Sequence, residues 1–315
     1  MCVNRPVVVA LGSVDPALVT GVLGAGIAFV AEPTEADLAV AVGAIARADA
    51  MVDADFLDRA PALRVLARTG VGVDRIDLAA ATARGIPVVI TPGSGTRAVA
   101  EGVLALALHL VKRLGPLTDL VREGRWRQRD RLVVGDLDGA TIGIIGYGRI
   151  GQRVGELATA IGMHVLAHDP FSPPPPDVAC ADLDQLAAGS DVLTLHAPLT
   201  EKTHHLVDDE FLARTRSGAI LVNCGRGGLL DLDAALAALE SGQLAGVGLD
   251  VFDPEPPQHH PLFDRPDVVL TPHVMGLTRR ATASTFADAA RGIVGVLAGR
   301  RLAAVANPDW ALTAP

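Results

Sequence analysis

A glycine-rich turn near the middle of the chain restricts the fold more than any other feature. The turn has the sequence Gly146-Tyr147-Gly148-Arg149-Ile150-Gly151. An apolar run over residues 141–145 precedes it, and a helical pattern continues from it to Ile161. Asp169 ends a second apolar run, eighteen residues after the last glycine. A strand, a glycine turn, a helix and a later carboxylate in this order predict a dinucleotide-binding α/β unit.

Each part of this pattern has a physical role. Gly146 permits the tight turn, Gly148 lets the backbone approach a pyrophosphate, and Gly151 lets the helix pack closely against the strand. The N-terminus of the helix offers unpaired N–H groups to the phosphates. Asp169 is expected to accept hydrogen bonds from ribose hydroxyls, and its charge repels a 2′-phosphate. The turn therefore predicts NAD, rather than NADP, as the cofactor.

Composition argues against several classes of protein. A net charge of −9 disfavours a nucleic-acid surface. The cysteines, Cys2, Cys180 and Cys224, are widely spaced and match no metal-binding pattern, which fits a reducing cytoplasm. No apolar stretch approaches the roughly 20 residues of a membrane span. We therefore expect a cytoplasmic protein without a metal, a membrane or a nucleic acid as partner.

The region before the glycine turn alternates strand-like and helical patterns. The strand-like runs cover residues 7–11, 39–42, 65–67 and 88–90. This alternation predicts a small parallel sheet of its own. A long helix is expected over residues 98–114, with Gly115-Pro116 as its stop. Later helices are expected from Asp231 to a closing Gly242, and over residues 278–297, where the chain returns past the dinucleotide sheet.

These patterns predict an α/β fold of two doubly wound parallel-sheet domains. At 315 residues the chain is long enough for two cores. We expect a Rossmann NAD-binding domain, residues 96–285, inserted into a flavodoxin-like substrate domain made of residues 1–95 and 286–315.

Polar residues follow the expected strands at the point where each one ends. The residues are Asp169, His196, the Asn223-Cys224-Gly225-Arg226 segment, Asp250, Glu255 and His273. Because ligands bind beyond the carboxyl ends of parallel strands, we expect these side chains to share one cleft.

Several of these segments resemble the D-isomer-specific 2-hydroxyacid dehydrogenase family. Three signature-like segments are residues 223–227 (Asn-Cys-Gly-Arg-Gly), 250–256 (Asp-Val-Phe-Asp-Pro-Glu-Pro) and 271–276 (Thr-Pro-His-Val-Met-Gly). Upstream, residues 68–74 and 99–101 look similar to the family's substrate-loop and inter-domain segments. The likeness covers nearly the whole chain and is nearest to short 3-phosphoglycerate dehydrogenases without a regulatory domain. It implies hydride transfer between NAD(H) and a D-2-hydroxy acid, and a homodimer built on residues 98–131.

The resemblance assigns roles that the chemistry supports. His273 would be the general acid/base, and Glu255, if it contacts the far ring nitrogen, would fix the tautomer. Arg226 offers a planar, permanently charged fork to the carboxylate and the C2 oxygen of a 2-oxo acid. Asp250 would bind the nicotinamide amide.

The substrate residues are expected in the first domain. Gly70, Val71 and Gly72 would turn backbone N–H groups toward the substrate carboxylate. Arg47 and Arg68 follow two strands, and Arg47 stands where 3-phosphoglycerate dehydrogenases carry a basic residue facing the substrate phosphate. A plain surface arginine is the alternative for Arg47.

The expected cofactor contacts extend beyond the glycine turn. They are Gly146, Tyr147, Gly148, Arg149, Ile150, Gly151, Asp169, His196, Ala197, Pro198, Thr203, Asn223, Cys224, Gly225, Asp250 and Gly276. His196 could instead only cap its strand.

Two questions stay open at the level of the sequence. The substrate is expected to be 3-phosphoglycerate, with glyoxylate or hydroxypyruvate as the alternative. A non-catalytic NAD-sensing protein is the alternative from another class, although a sensor needs no acid/base residue. Met275, where small residues are common in the family, and Arg279-Arg280 are expected to alter the size and charge of the pocket. Since the sequence ends at Pro315, we expect no regulatory domain of the kind that some phosphoglycerate dehydrogenases carry.

Overall fold

The computed structural model describes residues 5–176, 178–300 and 304–312, and the chain divides into two compact units. The first unit comprises Met1–Gly95 and Thr278–Pro315, and the second comprises Thr96–Leu277. Cys2 and the outermost ends of the expected first domain lie outside the described residues.

The described residues contain the following elements. The strands are β1 (Val7–Leu11), β2 (Ala28–Val30), β3 (Ala41–Ala46), β4 (Val65–Arg68), β5 (Val88–Val89), β6 (Thr141–Ile145), β7 (His164–His168), β8 (Ala179–Cys180), β9 (Val192–Leu195), β10 (Ala219–Asn223), β11 (Leu244–Leu249) and β12 (Val268–Leu270). The α-helices are α1 (Thr20–Leu23), α2 (Glu35–Val40), α3 (Ala54–Arg59), α4 (Leu78–Ala83), α5 (Thr96–Val111), α6 (Leu114–Arg122), α7 (Arg149–Ala160), α8 (Leu183–Gly189), α9 (Asp209–Ala213), α10 (Leu232–Ser241) and α11 (Arg279–Leu297). Among the helices described, none has the length and apolar character needed to cross a membrane.

The first unit is built on a parallel sheet with the strand order β2-β1-β3-β4-β5. This is the flavodoxin-like order, so the predicted doubly wound fold is confirmed. The order reverses between β1 and β3, which places the residues after these two strands at the topological switch point of the sheet.

Helix α11 covers one face of this first sheet. Its buried residues Phe286, Ala289 and Ile293 pack in one cluster with Val8 of β1 and Val65 of β4. This helix therefore belongs to the core of the first unit. The unit boundary also lies at 277/278 rather than at 285/286, because Thr278 caps α11 and the whole helix belongs to the first core.

The second unit contains a larger parallel sheet with the order β12-β11-β10-β9-β6-β7-β8. This is the Rossmann order with one additional strand, β12, at one edge, and it confirms the predicted fold class. Helices α5 and α7 pack on one face of the sheet, and α8, α9 and α10 pack on the other. The strand order reverses between β6 and β9, so the glycine turn after β6 lies at the switch point.

Two differences from the predicted boundaries exceed two residues or change how a segment is used. Helix α2 continues to Val40, so β3 begins two residues later than expected and extends to Ala46. The long helix ends at Val111, and Gly115-Pro116 does not stop it but lies in the first turn of α6. Proline is tolerated there because the first N–H groups of a helix have no intrahelical acceptor.

The helix expected after Asp231 forms as predicted. Asp231 accepts hydrogen bonds from the N–H groups of Asp233 and Ala234, and Gly242 closes α10 in the left-handed conformation. Strong capping signals at both ends explain why the sequence located this helix well.

Candidate active site

The glycine turn between β6 and α7 is closely packed on its inner side and open in front of the helix. Gly146 has φ +93°, and a Cβ there would lie 2.5 Å from the Ala197 nitrogen. A Cβ on Gly151 would collide with the Gly146 carbonyl oxygen. Gly148 is the N-cap of α7 without a side-chain cap, and a Cβ there would meet nothing within 4 Å. The turn thus leaves uncapped N–H groups facing open space, which suits a pyrophosphate.

Asp169 follows β7 and links two loops through its carboxylate. It accepts hydrogen bonds from the backbone N–H groups of Tyr147 (2.8 Å), Phe171 (2.8 Å) and Ser172 (2.9 Å). A carboxylate has about four lone-pair positions. Three are used within the described residues, so about one is left for a ribose hydroxyl.

His196 lies beside the glycine turn, at the end of β9. Its backbone N–H donates to the Ile145 carbonyl (2.7 Å), and its ring Nε2 is hydrogen-bonded to the Thr194 hydroxyl (3.0 Å). Its Nδ1 is buried and has no hydrogen-bond partner among the described residues. Burial lowers the pKa of His196 from 6.5 to about 4, so the imidazole is neutral at pH 7. A buried polar atom without a partner at this position is what a bound cofactor could satisfy.

The loop after His196 is held by its own side chains. The Thr203 hydroxyl donates to the Pro198 carbonyl (2.7 Å) and accepts from the Thr200 N–H (2.8 Å). Thr203, expected as a cofactor contact, therefore shapes this loop through its own hydrogen bonds.

The segment after β10 presents Arg226. The buried Asn223 side chain donates to the Arg226 carbonyl (2.8 Å) and accepts from the Gly225 N–H (3.0 Å), which fixes the turn. The Arg226 guanidinium donates to the Gly225 carbonyl (2.8 Å). Burial, and secondly the charge of Asp250, raise the pKa of the Cys224 thiol. Cys224 therefore stays protonated and is a poor nucleophile.

His273 and Glu255 are in direct contact, as the sequence predicts. Nδ1 of His273 lies 2.8 Å from Oε2 and 3.0 Å from Oε1 of Glu255. Since a carboxylate only accepts, Nδ1 carries the proton and Nε2 is the nitrogen that can exchange one. Burial by itself raises the pKa of Glu255, but hydrogen bonds from His273 and the Phe252 N–H, with the charges of His273 and Arg226, hold it below its ordinary value. Glu255 therefore stays ionised at neutral pH and below.

Asp250 anchors the segment that carries His273. Its carboxylate, 2% exposed, accepts from the Thr271 hydroxyl (2.6 Å) and from the N–H groups of Val274 (2.9 Å) and Met275 (3.1 Å). His273, between these donors, has φ +53°, a left-handed conformation that is uncommon outside glycine. As in Asp169, about one lone-pair position is left, here for the nicotinamide amide that the resemblance assigns to Asp250.

The expected carboxylate loop lies in the first unit, after β4. Gly70 has φ +125°, and its N–H donates to the buried Thr91 hydroxyl (2.7 Å). Gly70 therefore shapes the loop, and its N–H is already used. Within the described residues, the N–H groups of Val71 and Gly72 donate to no protein acceptor.

The two predicted arginines lie on neighbouring strands of the first sheet. Arg68 ends β4 and is paired in register with Ala46, the residue before Arg47. The Arg47 guanidinium carbon lies 5.6 Å from the ring centroid of Phe286. A Cβ on Gly12 would lie 3.0 Å from the Arg47 side chain, so Arg47 crosses the switch point between β1 and β3.

Met275 does not shape the pocket in the expected way, because its side chain packs against Gly102 of α5. Arg279 and Arg280 are exposed residues in the first turn of α11, in the other unit.

Sequence reasoning missed the residues that hold these groups in place. Thr194, Thr91 and Thr271 provide hydroxyl partners for His196, Gly70 and Asp250. A threonine near a strand end gives no distinctive signal. Gly102 did give one, since a glycine inside a helical pattern calls for a packing reason.

Comparison with known proteins agrees with this geometry. Residues 104–275 match the family described as D-isomer specific 2-hydroxyacid dehydrogenase, NAD binding domain. The chain belongs to this family. The cofactor predicted from the glycine turn, NAD, is thereby confirmed for the family's binding domain, and the residues around the turn fit it.

Similar members of the D-2-hydroxyacid dehydrogenase family carry different names. A D-3-phosphoglycerate dehydrogenase of Methanocaldococcus jannaschii is 38% identical over 84% of this chain and 51% of its own length. A hydroxypyruvate reductase of Thermotoga maritima is 38% identical over 75% of this chain and 78% of its own length. The structure of a D-lactate dehydrogenase from Aquifex aeolicus, in complex with NAD and lactic acid, superimposes with a TM-score of 0.82 at 28% identity, covering 93% of this chain and 96% of that one. The chain spans about half the length of the phosphoglycerate dehydrogenases that it matches.

The lowered pKa of His196 predicts a pH dependence of stability. Between pH 6.5 and about 4 the unfolded chain binds a proton that the folded chain excludes, so stability falls as the pH falls through this window. We expect the free energy of unfolding to drop between pH 7 and pH 4.5 by about 2–3 kcal/mol more in the native chain than in His196→Gln. Denaturant titrations at both pH values measure this, with His164→Gln, an exposed histidine, as the matched control. Equal drops in the native chain and His196→Gln would contradict the prediction.

Proposed function

We propose that the protein is an NAD-dependent dehydrogenase that interconverts a D-2-hydroxy acid and its 2-oxo acid. The observation that carries the proposal is the 2.8 Å contact between Nδ1 of His273 and Glu255, which leaves Nε2 as the acid/base atom. A protein that only senses NAD needs the glycine turn but not this pair.

The residues of the chain supply proton transfer and charge stabilisation. Bound NADH supplies the hydride that reduces the C2 carbonyl carbon. As the carbonyl oxygen gains negative charge, His273 donates a proton to it from Nε2, which yields the hydroxyl group. Glu255, ionised, stabilises the imidazolium before the transfer and holds the ring in the required tautomer. In the oxidative direction His273 accepts the same proton.

We assign the substrate carboxylate to two kinds of donor: a side chain with a positive charge, and backbone N–H groups that donate to no acceptor within the described residues. Arg226 offers a bidentate fork for the carboxylate or the C2 oxygen. Val71 and Gly72 of the first unit offer N–H groups without a protein acceptor, whereas the Gly70 N–H is taken by Thr91. We therefore assign the backbone contacts to Val71 and Gly72, and leave Gly70 a conformational role.

For the substrate we favour 3-phosphoglycerate, which carries a second anionic group. Arg47 and Arg68 place two positive charges at neighbouring strand ends, and Arg47 crosses the switch point where open parallel sheets bind ligands. Glyoxylate or hydroxypyruvate is the second candidate. The relatives named phosphoglycerate dehydrogenase and hydroxypyruvate reductase are equally similar, at 38% identity, so the two arginines decide our preference.

We also propose that the protein is a homodimer, acting in the cytoplasm. Within residues 98–131, where the resemblance places the subunit contact, Val103 and Leu106 of α5 are buried and pack on the sheet of their own unit. Exposed apolar side chains occur further on, in and after α6. They are Leu114, Val121, Trp126, Val133 and Val134. Five exposed apolar side chains within 21 residues are typical of a surface that contacts another protein chain.

Replacing His273 by alanine tests the mechanism. The change should lower kcat by about 10²–10⁴-fold, the range for loss of a general acid/base, and leave the NADH dissociation constant unchanged. NADH oxidation with a panel of 2-oxo acids measures kcat, and NADH fluorescence measures binding. His259→Ala, an exposed histidine, is the control. If the native protein bound NADH but reduced no 2-oxo acid, the NAD-sensing alternative would replace this proposal.

Replacing Arg47 by alanine tests whether this residue binds the phosphate group of the substrate. We expect kcat/KM for 3-phosphohydroxypyruvate to fall about 10- to 100-fold, since a hydrogen bond to a charged group contributes about 1.5–3 kcal/mol. The value for hydroxypyruvate, which lacks only the phosphate, should change little. Arg64→Ala, an exposed arginine at the opposite end of β4, is the matched control. An unchanged ratio of the two substrates in Arg47→Ala would rule out the phosphate contact.

Replacing Trp126 and Val133 together by glutamate tests the subunit contact. Charges buried in an apolar interface oppose association, so the double variant should be monomeric at micromolar concentration while the native protein is dimeric. Sedimentation equilibrium measures both masses. Val40→Glu, an exposed valine in the first unit, should leave the dimer intact. A monomeric native protein would refute the proposal.

A further inference from the structure

Gly102 lies in the middle of α5, in a segment otherwise rich in alanine, valine and leucine. Glycine is less favourable than alanine inside a helix, so a packing reason is expected. A Cβ on Gly102 would lie 2.6 Å from Sδ, 2.7 Å from Cγ and 2.8 Å from Cβ of Met275. The whole Met275 side chain, and not only its flexible tip, therefore occupies the place of a residue-102 side chain. We call this site on α5 the Gly102 notch.

The same segment contacts α5 at one further point. A Cβ on Gly276 would lie 3.5 Å from Cγ2 of Val99, which is three residues before Gly102 on the helix. Met275 and Val99 both pack against the core cluster on this face of the second sheet. The chain after His273 is thus attached to α5 through side chains and to Asp250 through two backbone N–H groups, and the chain before His273 is attached to Asp250 through the Thr271 hydroxyl.

His273 lies between these attachments and depends on them. Its side chain is 44% exposed, and within the described residues its imidazole is hydrogen-bonded to Glu255. Its left-handed backbone, with φ +53°, is kept only when the surrounding structure imposes it. The position of the imidazole therefore follows from how the backbone of residues 271–276 is held.

We propose that Gly102 and Met275 form a positioning pair for His273, in which Met275 seated in the Gly102 notch keeps Nδ1 of His273 on the Glu255 carboxylate. The inference rests on the dehydrogenase function proposed above. Both residues act through His273, and neither is a catalytic residue. Asp250 restrains the backbone on one side, and the notch restrains it on the other.

Gly102→Ala is the first test. The added methyl group would displace Met275 from its Cβ outward, and the backbone of His273 with it. We expect kcat to fall about 10- to 100-fold, as when a group that orients an active-site ligand or substrate is displaced by about 1 Å. The NADH dissociation constant should stay within two-fold, because the glycine turn is untouched. Gly115→Ala, where the new methyl meets only His109 at 3.5 Å, is the matched control and should retain native kcat.

A double substitution separates positioning from general damage to the fold. Met275→Gly empties the notch and should also lower kcat. Adding Gly102→Ala to Met275→Gly should then lower kcat by less than a further two-fold, because the methyl group no longer meets a side chain. If the loss of kcat in the double variant equalled the product of the losses in the two single variants, the proposal would be overturned. If Gly102→Ala fails to fold, Met275→Gly with retained NADH binding takes its place, and native kcat in that variant would equally overturn the proposal.

A spectroscopic measurement keeps this test independent of turnover. The Nδ1 proton of His273, hydrogen-bonded to a carboxylate, should give a downfield proton resonance that is absent in His273→Gln. We expect the resonance in the native protein and in Gly115→Ala, and its loss or shift in Gly102→Ala. If no 2-oxo acid is reduced but the resonance behaves in this way, the proposed function fails while the positioning pair stands. A native-like resonance with native kcat in Gly102→Ala would refute the pair.

Discussion

Parallel pairing within each sheet is the constraint on which the arrangement of the site depends. In the second unit, β6, β7, β9, β10 and β11 all run in the same direction, so the chain leaves the sheet at one edge after each of them. The direction of the strands alone therefore brings residues that are distant in sequence to the same edge. These residues are Gly146, Asp169, His196 and Arg226. The reversal of strand order between β6 and β9 opens the crevice beside the glycine turn.

Two buried or half-buried carboxylates then fix the loops at this edge. Asp169 and Asp250 each accept three hydrogen bonds from the chain within the described residues. Hydrogen bonds to charged groups contribute about 1.5–3 kcal/mol each, whereas a left-handed non-glycine residue costs about 1–3 kcal/mol. The three bonds of Asp250 therefore outweigh the unfavourable backbone of His273. Asp250, which the resemblance assigns to the cofactor, thus also holds the segment of His273, the proposed acid/base residue, in place.

The sequence located most of the groups to which we assign chemistry, and it located them for local reasons. The glycine turn, the capped helix α10 and the His273–Glu255 pair lie in short segments whose residue types permit few alternatives. It failed where local signals were weak or ambiguous. Strands β2 and β8, of three and two residues, are too short to show a periodicity. Gly115-Pro116 indicates a helix stop as well as a helix start, and the structure uses it as a start.

The sequence by itself determined the α/β class and the dinucleotide turn, and it singled out His273 as the residue that we propose for acid/base catalysis, because each is marked by short motifs along the chain. Only the tertiary structure decided which of these groups already make hydrogen bonds or packing contacts within the chain. It gives the Gly70 N–H to Thr91, and it seats Met275 in the Gly102 notch rather than in a pocket. These outcomes depend on atoms from separate segments meeting within about 3 Å. That distance is set by how helices and strands pack, and no spacing along the chain encodes it.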